Sequence, residues 1–272
     1  MRIAELWIYP VKGARGTRLA ESDVLVSGLR HDRRFMIVDR EGVFLSQRSH
    51  PRLALVEARL DAATSTLTIA TPASPEGTIL ALAPAFPDHP KRSVRVWDDE
   101  VDALEVQGDA SALLSEHLQT ECSLVFMPDD VVRQVEIEYA RPGDRVGFAD
   151  GFPVLLASLA SLAELNGRLA DAVPMNRFRP NLVVEGGEAF EEDRFERAVV
   201  GSLAFRMPKR CARCQVTTVD QETAKVGKEP LRTLSQYRRE GNKVHFAQNL
   251  IPDGEGVVRV GDEVRYVEPR AS

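Results

Sequence analysis

The sequence predicts a mainly β protein with some α, built as a barrel or a sandwich. Three observations carry this. Short β-prone runs crowd both ends of the chain, turn-forming residues separate them, and three segments alone repeat apolar residues at helical spacing. Many short strands at close spacing favour a closed or two-layered sheet over a doubly wound one. The 272 residues, 43% hydrophobic and 28% charged, have the balance of a globular chain long enough for one large domain or two ordinary ones.

The first half supplies strands at 3–9, 24–26, 35–38, 53–60 and 67–69, with turn signals at Glu41-Gly42 and Asp61-Ala62-Ala63. The stretch 72–90, rich in Pro and Ala, is expected as a loop. Asp109 is placed to cap a helix carrying Leu113, Leu114 and Leu118. Ser161-x-x-Glu164 has the capping-box pattern, and Leu162, Leu165 and Leu169 follow at helical spacing. A third, short helix is expected at 230–239, where Pro230 suits the first turn, Leu231 and Leu234 share a face, and Gly241 ends it. Strands return at 181–184, 203–205, 216–219 and 244–246, and 257–267 reads as a hairpin turning at Gly261-Asp262.

A net charge of -6 and a pI near 5.5 speak against a nucleic-acid binder, which carries a basic excess. Three cysteines, an odd number, do not make a disulfide framework. Residues 1–13 hold Arg2, Glu5 and Lys12 and no long apolar run, so no signal peptide is expected. No apolar stretch reaches membrane-spanning length. The expectation is a cytoplasmic protein whose partners are neither nucleic acid nor membrane.

The run Arg210-Cys211-Ala212-Arg213-Cys214 bears the chemistry. Lys209, Arg210 and Arg213 surround the two thiols, and neighbouring cations favour a thiolate, the form that binds metals and attacks electrophiles. The β-prone run after Cys214 places this thiol at the mouth of a strand, where a ligand is well held. A structural zinc site needs four ligands, and His31, His50, His89, His117 and His245 form no second metal-spaced pair. A thioredoxin-like pair precedes a helix, whereas a β run follows here. From the pair alone, two structural thiols stand level with a functional reading.

The flanks extend the pattern. Cys211-Ala212-Arg213-Cys214-Gln215-Val216-Thr217-Thr218-Val219-Asp220, Lys228-Glu229-Pro230-Leu231-Arg232-Thr233-Leu234 and Tyr237-Arg238 together resemble the MOSC-domain signature. Tyr9-Pro10-Val11-Lys12-Gly13, Asp32-Arg33-Arg34-Phe35, Gln47-Arg48, Asn176-Arg177-Phe178-Arg179-Pro180-Asn181 and Val260-Gly261-Asp262 resemble further family motifs in the same order. The resemblance runs from Ile3 to Val267. It is to the MOSC reductases typified by the mitochondrial amidoxime-reducing component and its bacterial relatives.

That resemblance implies an N-terminal β-barrel-like MOSC domain at 1–125 and a C-terminal MOSC β-barrel domain at 126–272. It implies a molybdenum–molybdopterin cofactor between them, with Cys214 as the thiolate on the metal. Cys211 has no required role, and Cys122 matches no family site and is expected as a buried apolar thiol. Lys12, Arg34, Arg48 and Arg179 match the family's basic residues at the pterin, and the arginine fork suits its phosphate. Arg213 joins them, and Asn181 offers donor and acceptor to the pterin's amide-like edge. Asp150 matches an aspartate near the substrate and supplies or relays a proton, unless Asp150-Gly151 is simply a turn. Ser158 matches a serine that contacts the cofactor or caps the following helix.

Four departures from the family are visible. Gly13 replaces a serine and leaves a backbone donor alone, Ala212 replaces a serine of some relatives, and Gly151 and Phe152 replace hydroxyl residues. The activity implied is reduction of the N–O bond of small N-hydroxylated or N-oxide compounds. The fused iron–sulfur domain of some bacterial relatives is not found before Ser272, so electrons are expected from a separate iron–sulfur, flavin or cytochrome protein. The rivals are a molybdenum-cofactor carrier or sulfur-transfer protein, and a non-enzymatic zinc or interaction module.

Overall fold

The computed structural model describes residues 1–61, 63–82 and 89–270, and among these the strands form four sheets. The largest has ten strands. Eight follow in the order Thr17–Leu19, Arg2–Ile8, Leu182–Glu185, Val154–Ser158, Lys243–Pro252, Leu203–Arg206, Phe195–Val200 and Val264–Pro269. Arg210–Arg213 and Arg239–Glu240 both pair with Lys243–Pro252. The first strand of the chain is thus built into a sheet made mostly by the second half, with Leu6 opposite Leu182. Ile3 and Leu6 are three apart yet share the buried face, because the pairing slips between Ile3 and Glu5. Leu6, Ile8, Leu156, Leu182, Phe205 and Leu250 meet in one core, and each such side chain contributes roughly 1.5–3 kcal/mol by leaving water.

A four-stranded sheet runs Phe35–Val38, Ser123–Phe126, Asp99–Glu105, Lys91–Val96. Phe35, Ile37, Leu53, Leu67, Leu114 and Leu124 form a separate core on it. Two three-stranded sheets complete the fold: Glu57–Asp61, Thr66–Thr71, Ser74–Ala81, and Gly256–Arg259, Glu21–Leu25, Gly28–Leu29. The chain leaves Arg2–Ile8 at Tyr9-Pro10 and pairs Val11 with Phe35. This puts residues 9–13 on the seam between the two larger sheets. The α-helices are α1 (Ala110–Leu118), α2 (Leu159–Asn166) and α3 (Leu231–Tyr237). No helix among the described residues is long and apolar enough to cross a membrane.

The mainly β class with some α is as expected, but five local expectations are corrected. Pro51, with its fixed φ, opens a 3-10 turn at Pro51–Leu55, so the strand expected from 53 starts at Glu57. Part of the 72–90 loop is the strand Ser74–Ala81, which pairs Leu80 with Leu67. Gly77 permits the close approach there, since a Cβ would meet Ile69 O at 2.2 Å. Residues 83–88 of that loop, and Ala62 of the expected turn, lie outside the described residues. The strand expected at 216–219 is a 3-10 turn, Gln215–Thr218, in which Thr217 and Thr218 donate their hydroxyls to the carbonyls of Cys214 and Gln215. The cap of α2 is Ser158, which accepts from the N–H groups of Ala160 and Ser161; Ser161 is buried and donates to Glu192. The tail turns at Gly261, φ +94, but Gly256–Arg259 and Val264–Pro269 part and pair with Glu21–Leu25 and Phe195–Val200. Asp109 precedes α1 as expected, without a side-chain cap bond.

Candidate functional site

A cleft of about 950 Å³, counting its open mouth, lies on the seam between the two larger sheets. Its charged lining among the described residues is Lys12, Arg33, Arg48, Arg179 and Arg213 against Asp150, five cations to one carboxylate. Cys211 and Cys214 open onto the same cleft, with Phe44, Phe152 and Phe178 as apolar walls.

Tyr9 is the post on which two of the cations stand. Its ring lies between the guanidinium groups of Arg33, 4.3 Å from the centroid, and Arg179, 4.2 Å. Gly16 leaves room for that ring, since a Cβ would come within 2.6 Å of Tyr9 Cε1. The Tyr9 hydroxyl donates to Pro180 O, and burial pushes its pKa up to about 12. Arg33 donates to Asp32 at 2.6 Å, to Asn181 Oδ1 at 3.1 Å and to Arg179 O at 3.2 Å. Arg179 donates to Ala14 O at 2.6 Å. Burial pushes its pKa down to about 10, which still leaves it cationic at neutral pH. Both arginines have positive φ, +47 and +56, a backbone that costs an ordinary residue about 1–3 kcal/mol and clusters at functional sites.

Opposite them, Lys12 is buried and donates to Phe148 O at 2.8 Å and Asp150 Oδ1 at 2.5 Å. Burial pulls the Lys12 ammonium below the ordinary lysine value, against the opposing pull of Asp150. Asp150 is crowded by the cleft walls, which alone would raise it, yet 71% of its side chain meets solvent. The Lys12 charge and hydrogen bonds from Lys12 and Trp97 win, holding its carboxyl well below the usual range. The loop that carries it is clamped by buried Arg133, which donates to Gly147 O, Ala149 O and Asp150 O and pairs with Asp99 at 2.7 Å.

The strand Arg210–Arg213 delivers the thiols. Arg213 donates to Cys211 Sγ at 2.9 Å and to Phe178 O at 2.7 Å, and its buried Nε has no acceptor among the described residues. Cys214 follows the strand end and is exposed. The cationic collar expected around it is smaller than its neighbours suggest. Lys209 sits over Tyr139 at 3.5 Å and near Glu136, and Arg210 pairs with Glu240.

Of the residues singled out from the sequence, Lys12, Gly13, Arg48, Asp150, Arg179, Asn181, Arg213 and Cys214 line this cleft. Asn181 spends most of its amide inside the sheet, accepting from Leu155 N and Arg33 and donating to Trp7 O. Arg48 is exposed at the mouth and stacks 4.3 Å over Trp97. Arg34 and Ser158 are not brought here. Arg34 donates to Met127 O, pairs with Asp129 at 2.7 Å and lines a second cleft with Arg30, His31 and Arg145. Ser158 is the buried cap of α2. Arg33, Trp97, Gln47 and Phe44 line the cleft without having been singled out. The signal for Arg33 and Gln47 was present in Asp32-Arg33-Arg34-Phe35 and Gln47-Arg48. Cys122 is buried at 5% exposure beside Ser115.

Comparison with known proteins bears on this arrangement. The family model for the MOSC N-terminal beta barrel domain matches residues 1–121, and that for the MOSC domain matches 143–265. Mitochondrial amidoxime-reducing component 1 of Mus musculus is 32% identical over 280 residues, covering 96% of this chain and 81% of its own length. The Homo sapiens protein of that name is 31% identical, with 96% and 82% covered. Molybdenum cofactor sulfurase of Danio rerio is 30% identical over 91% of this chain but 31% of its own length. The chain belongs to the MOSC family, with the N-terminal β-barrel and MOSC domains both present.

Proposed function

We propose that the protein is a molybdenum-cofactor-dependent reductase that cleaves the N–O bond of small N-hydroxylated or N-oxide compounds, with electrons from a separate iron–sulfur, flavin or cytochrome protein. The observation that carries this is the imbalance of the cleft: five cations and one carboxylate arranged around an exposed thiol. A pterin phosphate answers such a lining, and the unsatisfied Arg213 Nε leaves a buried donor for an anionic guest. Arg33, Arg179 and Arg213 would hold the pterin, with Lys12 and Gly13 on the facing wall and Cys214 as the thiolate on molybdenum. When bound, the cofactor would supply the two electrons of the reduction.

The chain's own residues supply position, charge and protons. Breaking N–OH to N–H with release of water consumes two electrons and two protons. Asp150 is ionised at neutral pH, so it serves as the counter-ion that keeps Lys12 charged in a crowded wall. The proton held at Lys12 Nζ, weakened by burial, is the one available to the leaving oxygen. The Phe44 ring, its centroid 5.1 Å from that nitrogen, covers the ammonium on one side.

The exposed Cys214 and the similarity to a cofactor sulfurase favour one second reading, a carrier or sulfur-transfer protein. Holoprotein made in cells that synthesise the cofactor, given reduced methyl viologen and a panel of N-hydroxylated compounds, separates them. Substrate-dependent oxidation of the viologen is expected. Bound molybdenum with no oxidation by any compound would transfer the assignment to the carrier.

A further inference from the structure

We infer that Trp97 is the substrate-selecting residue of this cleft, a stacking wall that favours flat, unsaturated N-hydroxylated substrates over aliphatic ones. The inference rests on the reductase reading and adds to it the class of substrate.

Trp97 sits at the tip of a hairpin between Lys91–Val96 and Asp99–Glu105, where Val96 pairs with Asp99 and the loop has two residues. Its φ is +58, at the first loop position, a place glycine favours and a bulky aromatic does not. The turn therefore gains nothing from a tryptophan. Nor does a hydrophobic core gain much, because Trp97 remains 37% exposed. What the side chain does is reach across the seam. Its Nε1–H donates to Asp150 Oδ1 at 3.2 Å, and Phe44 braces it with ring centroids 4.9 Å apart. The hairpin is held in place two residues on, by Asp99 on Arg133, the same arginine that clamps the Asp150 loop. The indole is thus fixed at both its edge and its base.

Arg48 completes the surface. Its guanidinium lies 4.3 Å over the indole and has no hydrogen-bond or ion-pair partner among the described residues. Trp97 is 37% exposed and Arg48 is exposed beside it, so the pair offers open aromatic and guanidinium surface on which a further π-face can stack. The pair stands beside Asp150 and Lys12, so a ring lodged there would present its N–OH group to the proton-bearing wall. An alkyl chain gains none of the stacking.

The test uses holoproteins of matched molybdenum content carrying wild-type Trp97, Trp97→Phe or Trp97→Leu, with benzamidoxime and hexanamidoxime. The ratio of kcat/KM between the two compounds and the calorimetric Kd of benzamidoxime are both read. Wild-type protein is expected to favour benzamidoxime. Trp97→Leu should lower the kcat/KM ratio about 5–10-fold, mostly through KM, with a matching weakening of Kd. Trp97→Phe should keep most of the ratio although it loses the bond to Asp150. An unchanged ratio in Trp97→Leu, or equal losses for both compounds, would overturn the inference by reducing Trp97 to a structural post. If wild-type protein binds benzamidoxime in a Trp97-dependent way but reduces neither compound, the wall stands and the reductase reading falls.

Discussion

Replacing Glu192 with Gln should remove a pH dependence of about 3 kcal/mol from the stability of the fold. Glu192 is fully buried in the turn Glu191–Arg194. Its Oε1 accepts from Ser161 on α2 at 3.0 Å, and its Oε2 has no partner among the described residues. Burial, with the neighbouring Asp193 adding to it, pushes its pKa from 4.5 up to about 7. That difference, at ~1.4 kcal/mol per pH unit, is the ~3 kcal/mol at stake. The sign follows from which state ionises first. Below pH 4.5 the carboxyl is protonated folded and unfolded alike, and its full contribution is present. Between pH 4.5 and 7 the unfolded chain loses the proton before the folded one does, so stability falls; above 7 it falls no further from this source. Gln keeps the shape and cannot ionise. Urea denaturation of wild type and E192Q at pH 4.5, 6 and 8 measures the difference between the two, which cancels most other titrations. The difference should move in favour of the variant by about 3 kcal/mol from pH 4.5 to 8. A difference that stays constant over that span would refute the buried neutral acid.

Three further outcomes are expected. Asp150→Asn removes the charge that supports the Lys12 proton, so the alkaline limb of the kcat–pH profile should move to lower pH; an unmoved limb would exclude Lys12 as the proton source. Gly147→Ala would place a Cβ 2.8 Å from the Arg33 carbonyl, which accepts from Phe148 N, so about 1–3 kcal/mol of stability and part of the molybdenum content should be lost together, as read by thermal melting and metal analysis. Arg206 holds Asp144 through two bonds of 2.7 Å and Asp253 at 2.6 Å, all three side chains near 15% exposure or less. Arg206→Met should therefore cost about 3 kcal/mol in urea denaturation, with part of it regained when Asp144→Asn is added.

The β-rich class and most of the site were legible because both are written in local residue types. Strands such as Phe35–Val38 are apolar throughout, and the cations and thiols of the cleft fall in compact motifs. The failures have a common cause, which is that tertiary pairing decides what local pattern cannot. Arg33 and Arg34 are equally basic, and the turn that sends one to Tyr9 and the other to Met127 depends on a positive φ at Arg33. Ser74–Ala81 reads as a loop until Thr66–Thr71 is beside it. Thr217 and Thr218 have β-prone side chains, but their hydroxyls close a turn on Cys214 and Gln215. Trp97 carries no signal in its own sequence neighbourhood, since its partners Phe44, Arg48 and Asp150 are reached only through the fold.

The central claim is that Cys214 binds the metal, and X-ray absorption at the molybdenum edge tests it without recourse to turnover. Holoprotein should show one thiolate sulfur beyond the dithiolene pair, and that scatterer should vanish in Cys214→Ala protein that still retains its pterin. Identical sulfur scattering in the two proteins would contradict the assignment.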